Sequence, residues 1–358
     1  MPRPVREAVD GRAWLQAMLD AEAALARAQA RAGVIPAEAA EKIAACCDAS
    51  QFDAEQIGEE GRRVANPAEP LVRRLREQAG EWVHYGATSQ DIVDTAMMLV
   101  AKRARGVILD DVDGVAVVCA QLADEHRGTV MAGRTLLQQA VPTTFGLKAA
   151  GWLVGVVDAR RRLNAVQLPV QLGGAAGTLA ELGEQGPEVL RLFAEELGLV
   201  EPTLPWHTNR VPIVELGSTL ELVAGACGKI ALDVILLAQT EVREVSSPVG
   251  GSTAMAHKRN SASAVVAVAA ARQVKPAFSM LHEHERAAGA WQAEWPMLTN
   301  ALAYAGGAAA ATRETLEGLE VNAERMRANI DPDLAGYPAA GDMLVDRALA
   351  FYEVHRDE

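Results

Sequence analysis

The densest group of chemically useful residues in the chain is the string Gly251-Ser252-Thr253-Ala254-Met255-Ala256-His257-Lys258-Arg259-Asn260. Gly250 and Gly251 let the backbone approach a ligand closely. Ser252 and Thr253 add two hydroxyls, and Lys258 adds a cation. A helix opening near Asn260 would contribute free N–H groups and the positive end of its dipole. That set suits a carboxylate, and still more one that gains charge as its α-proton leaves. Taken alone, the same string also fits a plain surface connection.

Holding such a loop in place requires a frame, and the composition points to helices. Half of the 358 residues are apolar, only 4% are aromatic, and Ala, Leu, Val, Glu and Arg abound. Long helices are favoured over a β-sandwich. Trp14, Leu15, Met18, Leu19, Leu25 and Ala26 recur at helical spacing. Glu22 falls on the same stripe, so that face is either partly exposed or its carboxylate is paired. Gly33 reads as the residue just past this helix, and Pro36 opens the next. Asn66-Pro67 and Pro70 mark a further break, and residues 1–90 are expected to form an N-terminal helical domain.

From Asp91 five stretches are free, or nearly free, of internal proline, approximately 91–125, 143–166, 209–245, 260–286 and 293–322. Several are apolar around most of their circumference, as in Val214, Leu216, Leu220, Leu222, Val223, Ile230, Leu232, Val234, Ile235 and Leu236. Such helices are buried on most sides. The expectation is an all-α central bundle domain over 91–325, with five helices per subunit and the remaining apolar faces packed on other subunits. Residues 326–358, broken by Pro332, Gly336, Pro338 and Gly341, read as a truncated C-terminal domain remnant. The connections 82–91, 133–142, 168–178 and 248–260 are long and polar, and such segments usually carry function.

A formal charge of −13 argues against nucleic-acid or anionic-membrane partners. An anionic substrate would then need a local group of Arg and Lys. Cys46, Cys47, Cys119 and Cys227 offer no CxxC pair and no disulfide framework, which fits a cytoplasmic protein. The first residues lack the apolar stretch of a signal peptide, and no apolar run is long enough for a bilayer. No metal-ligand spacing is present, so neither metal nor other cofactor is expected.

The string 251–260 resembles the GSSxMPxKxN signature of the fumarase/aspartase superfamily. Three more segments follow that family's order. His84-Tyr85-Gly86-Ala87-Thr88-Ser89-Gln90-Asp91 resembles its HxGxTSxD segment, and Gly133-Arg134-Thr135-Leu136-Leu137-Gln138 its TRTHxQ segment. The run Gln171-Leu172-Gly173-Gly174-Ala175-Ala176-Gly177-Thr178 resembles a glycine-rich segment of the family. Residues 284–295, from His284 through Arg286 to Trp295, and the string Trp206-His207-Thr208-Asn209-Arg210 are similar to the superfamily's lactonising branch. Members of that branch, bacterial 3-carboxy-cis,cis-muconate cycloisomerases, close a tricarboxylate diene into 4-carboxymuconolactone. The resemblance implies a homotetramer around a twenty-helix core, each active site being shared between three subunits.

It also implies roles. Ser252 matches the family's catalytic serine, and Lys258 is its rival as proton donor. Thr88, Ser89, Thr135, Gln138 and Asn260 would hydrogen-bond substrate carboxylates, with His84 beside them. Arg210 and Arg286 would neutralise the third carboxylate. One departure has chemical weight: superfamily members that expel an amine carry a histidine where this chain has Leu136. A carboxylate leaving group, whose conjugate acid has a pKa of about 4, needs no proton at neutral pH. Losing general-acid help worth roughly 10²–10⁴-fold would penalise an amine eliminator. Leu136 therefore favours lactonisation. The family's Met-Pro and Asn-Pro are Met255-Ala256 and Asn260-Ser261 here, which leaves the loop less restricted in φ. The alternatives are a superfamily lyase that eliminates an amine from a succinyl substrate, and a non-catalytic helical scaffold.

Overall fold

The structure is a computed structural model, and it describes residues 3–247, 259–279, 289–334 and 340–356. The chain opens with five helices, α1 (Arg3–Val9), α2 (Gly11–Arg31), α3 (Ala37–Cys46), α4 (Ala54–Val64) and α5 (Ala68–Ala79). The Asp10 side chain accepts from Ala13 N at 2.8 Å and caps α2. Gly33, at φ 73°, ends it as the sequence suggests.

The frame that follows is built from α6 (Ser89–Glu125), α7 (Phe145–Ala165), α9 (Val211–Leu237), α10 (Ala262–Ser279) and α11 (Ala290–Glu317), with a shorter α8 (Gly186–Leu197) after α7. Ile92, Ala96, Val100, Ala104, Ile108, Val115 and Leu122 make a buried stripe along α6, at roughly 1.5–3 kcal/mol for each large aliphatic side chain. Its start is fixed by a capping box in which Asp91 accepts from Thr88 N at 2.9 Å. The end of α6 and the start of α7 touch backbone to backbone. A Cβ on Gly146 would lie 2.7 Å from Ala123 O and from Arg127 N, so no larger residue fits.

Directions within the bundle follow from cross-contacts. Arg210, just before α9, reaches Asp94 at the start of α6 and Glu294 at the start of α11. Farther along, Thr312 Oγ1 donates to Cys227 O at 3.3 Å. Thus α6, α9 and α11 run parallel. Helices α7 and α10 return between them, α7 starting beside the end of α6 and α10 packing on both α9 and α11.

Two small sheets depart from the all-helical expectation without changing the class. The 133–142 segment, expected as irregular, is an antiparallel hairpin of β1 (Val130–Thr135) and β2 (Gln138–Thr144). Strands β3 (Val245–Ser246) and β4 (Glu320–Val321) pair beside it, followed by α12 (Ala323–Ala328) and α13 (Gly341–His355). The last helix packs back on α7 and α6. Leu222 and Leu232 of α9 and Val265 and Val266 of α10 are left exposed on the single subunit. Among the described residues no helix is long and apolar enough to cross a membrane.

Candidate active site

The candidate residues fall into two groups, one at each end of the bundle. At the first end, before α6, the chain turns sharply at residues 84–86, with His84 at φ 62° and Gly86 at φ 68°. A Cβ on Gly86 would sit 2.7 Å from Leu182 Cδ2. Thr88 and Ser89 follow at the helix start, half-buried. Asp91, fully buried, ties this turn to the glycine-rich segment. Its carboxylate accepts from Gly173 N at 3.0 Å and Gly174 N at 2.9 Å, and pairs with His207 Nε2 at 2.7 Å. Three motifs that lie far apart in the sequence thereby become one rigid surface.

His84 belongs to this surface and is backed by Glu22 of α2, whose Oε1 lies 2.6 Å from His84 Nδ1. Of the two readings open for Glu22, the paired carboxylate is the one realised. Burial alone would push the imidazole pKa down. The Glu22 charge and hydrogen bond, with the charge of Asp91 behind them, outweigh burial and the opposing Arg76, and the pKa is raised.

Arg210 does not meet its expected role. Its side chain is fully buried, held by Asp94 (2.8 and 3.0 Å) and Glu294 (2.6 to 3.2 Å). Its guanidinium also lies over the Trp206 ring, 4.7 Å from the centroid, and Trp291 Nε1 donates to Asp94 at 2.9 Å. With two carboxylates on one guanidinium, nothing is left to neutralise a substrate. Arg210 instead clamps the starts of α6, α9 and α11 together.

At the second end, Thr135 and Gln138 face each other across a two-residue turn. That turn is made by Leu136 and Leu137, at φ 49° and 61° and 98% and 73% exposed. A left-handed turn normally takes Asn or Gly, so two leucines there are strained as well as uncovered. Behind the turn a bulge at Gly133 brings the backbones close; a Cβ there would lie 2.5 Å from Val141 O. Arg134 forms a bidentate pair with buried Glu244 at 2.9 and 2.6 Å, and Asn329 donates to the same carboxylate at 2.9 Å. This pair anchors the hairpin to the turn after α9.

Asn260, half-buried, lines a cavity of about 1060 Å³ at this same end, with Arg243, Ser246, Ser247, Arg259 and Asn322. The same lining carries Glu320 and Glu324, so the two arginines are matched by two carboxylates and the described wall of the cavity has no net positive charge. Ser252, Lys258 and Arg286 lie outside the described residues.

Among the described residues, one subunit does not bring its candidates together. Helix α6 has 37 residues, which at 1.5 Å per residue separates its ends by ~55 Å. His84, Thr88 and Ser89 stand at one end; Thr135, Gln138 and Asn260 at the other. The residues not foreseen as part of the site, Glu22, Asp91 and Glu244, are buried carboxylates that orient others. Glu22 on an apolar stripe and Asp91 three residues after Thr88 were their visible signals. Among the described residues no group of three His, Cys, Asp or Glu side chains is placed to hold a metal ion.

Comparison with known proteins agrees with this architecture. A family description of lyases matches residues 4–275. A nitrosuccinate lyase of Streptomyces davaonensis is 47% identical over 354 residues, covering 92% of this chain and 75% of the relative. A 3-carboxy-cis,cis-muconate cycloisomerase of Bradyrhizobium diazoefficiens is 45% identical over 346 residues, covering 91% and 77%. The crystal structure of 3-carboxy-cis,cis-muconate lactonizing enzyme from Pseudomonas putida superposes with a TM-score of 0.87 at 38% identity, covering 98% of this chain and 85% of that one.

Proposed function

The chain belongs to the fumarase/aspartase family of lyases, and from that premise we propose that it is a cytoplasmic, lactonising cycloisomerase converting 3-carboxy-cis,cis-muconate to 4-carboxymuconolactone. The observation that carries this reading is the group of relatives of that name, 41% to 45% identical over nearly the whole chain. Leu136 at the hairpin tip supports it chemically. A carboxylate that adds to, or leaves from, its own carbon chain needs no proton, so an apolar residue can stand where an amine eliminator needs an acid.

In the proposed reaction a substrate carboxylate oxygen adds across the double bond, and a proton is delivered to the carbon α to another carboxylate. Ser252 or Lys258 delivers it, with Lys258 and loop N–H groups holding the charge that develops on the α-carboxylate. Thr88, Ser89, Thr135, Gln138, Asn260 and His84 hold the substrate's carboxylates, and Arg286 remains the candidate for the third. No cofactor takes part in this scheme.

The ~55 Å between the two half-sites supports a homotetramer with shared active sites, in which the hairpin end of one copy meets the His84 end of another. The exposed apolar sides of α9 and α10 are the surfaces such an assembly would cover. The division into residues 1–90, 91–325 and 326–358 is part of the same reading.

A second reading is favoured by the 47% identity to a nitrosuccinate lyase. Nitrite, like a carboxylate, is a weak base and leaves without a proton, so Leu136 separates either reaction from amine elimination but not one from the other. Purified protein mixed with 3-carboxy-cis,cis-muconate is expected to bleach the diene absorbance, and Ser252→Ala to abolish this. Release of nitrite from nitrosuccinate without diene loss would establish the second reading instead. Activity only on adenylosuccinate or argininosuccinate would overturn both.

A further inference from the structure

We propose that Glu22 is a positioning residue of the active site, fixing His84 through Nδ1 so that the opposite ring nitrogen, Nε2, donates to a substrate carboxylate. The inference rests on the polycarboxylate reading given above. Glu22 is 1% exposed and sits in the middle of α2, where the neighbouring positions are core alanines and Leu25. Its Oε1 accepts from His84 Nδ1 at 2.6 Å, a short, charge-assisted distance. Its Oε2, also buried, has no hydrogen-bond partner among the described residues. A half-satisfied carboxylate in a core calls for an explanation.

Holding the turn together is not a sufficient one. Gln29, two helical turns along α2, donates to Tyr85 O at 2.6 Å, and Arg76 Nε donates to Val83 O at 3.2 Å. The backbone on both sides of His84 is thus secured without Glu22, whose carboxylate, among the described residues, hydrogen-bonds only to the ring. With Nδ1 committed to Glu22, the ring's Nε2 makes no hydrogen bond among the described residues. In the protonated ring Nε2 is then a donor open to a ligand, whereas in the neutral ring, with Nδ1–H on Glu22, it could only accept.

The charged groups that act on the ring are Glu22 from α2, Asp91 from α6 and Arg76 from α5. Burial lowers the ring's pKa, yet the two carboxylates outweigh both burial and Arg76, and the result is a pKa above the ordinary histidine value. A cationic ring binds a carboxylate more tightly than a neutral one. Binding is therefore strong at low pH and weakens as pH rises through the raised pKa. Removing the Glu22 charge should bring that weakening to lower pH.

The test is Glu22→Gln, which keeps shape and an acceptor but removes the charge. Below both pKa values the variant's KM for 3-carboxy-cis,cis-muconate should match wild type. As pH rises past the variant's lower pKa its KM should climb severalfold above wild type, with kcat within a few-fold. In parallel, the His84 imidazole resonance of ¹³C-histidine-labelled protein, assigned with His84→Asn, should titrate at lower pH in the variant. That measurement needs no substrate, so it separates failure of the Glu22–His84 link from failure of the assigned reaction. Should Glu22→Gln not fold, Glu22→Asp keeps the charge but retracts it, and the resonance should shift in the same direction. An unchanged His84 titration, or a shifted titration with an unchanged KM–pH profile on a substrate that is turned over, overturns the proposal.

Discussion

At the scale of single residues, burial decides which charged side chains serve chemistry and which serve architecture. Arg210 illustrates the second kind. Its partners Asp94 and Glu294 stand 116 and 84 positions away, a separation no local pattern signals, so the sequence alone made it look like a free cation. Replacing Arg210 by Met would leave two buried carboxylates unpaired, and breaking such a pair costs about 3–5 kcal/mol. Urea unfolding of Arg210→Met is expected to show a loss of that size, with oligomerisation and activity falling only as stability does. The cysteines give a second prediction. Burial pushes the Cys47 and Cys227 thiols up to about 12 and raises that of Cys119 as well. Thiolate is the reactive form, so iodoacetamide at pH 8 should leave all three unmodified in the native protein, as mass spectrometry of the digest would show.

At the scale of elements, the five long helices were legible because their stretches are proline-poor and apolar on more than one face. The expected stretch 91–125 matches α6 to within two residues, and in the N-terminal domain Gly33 marked the end of α2. The β-hairpin was not, because its turn carries Leu136-Leu137 rather than the Asn-Gly or Asp-Gly pair that announces a tight hairpin. Its bulge at Gly133 is the element's weak point. Gly133→Ala forces a methyl against Val141 O, an overpacking cost of about 1–3 kcal/mol. Since the bulge aims Thr135 and Gln138, misplacing them by 1 Å would cost roughly 10²-fold in kcat/KM. Steady-state kinetics should show that loss while circular dichroism keeps the native helical signal. Gly146→Ala should do the reverse, lowering stability by about 1–3 kcal/mol or more through the α6–α7 contact while any folded fraction keeps wild-type kinetics.

At the scale of the whole molecule, the resemblance implied sites shared between subunits, and the helices put the described candidates at opposite ends of one subunit, as sharing would require. Motif order along a chain carries no information about whether two motifs meet within one copy. Apart from the resemblance, the clue in the residues was the apolar circumference of α9, and Leu222, Leu232, Val265 and Val266 remain uncovered in the single subunit. If sites are shared, two impaired variants with lesions at opposite ends should rescue one another. Mixing His84→Asn with Gln138→Ala, followed by dissociation and reassembly, should restore roughly a quarter of the sites in random assemblies. Activity no higher than the sum of the two variants would show that each site is built within one chain.

The length of α6 has a kinetic consequence. If the sites are shared between copies, a lone subunit, with its two sets of candidate residues at opposite ends of a helix ~55 Å long, should be not a weaker enzyme but an inactive one. Specific activity should then hold constant at high protein concentration and collapse on dilution, following the dissociation of the assembly rather than the melting of any helix.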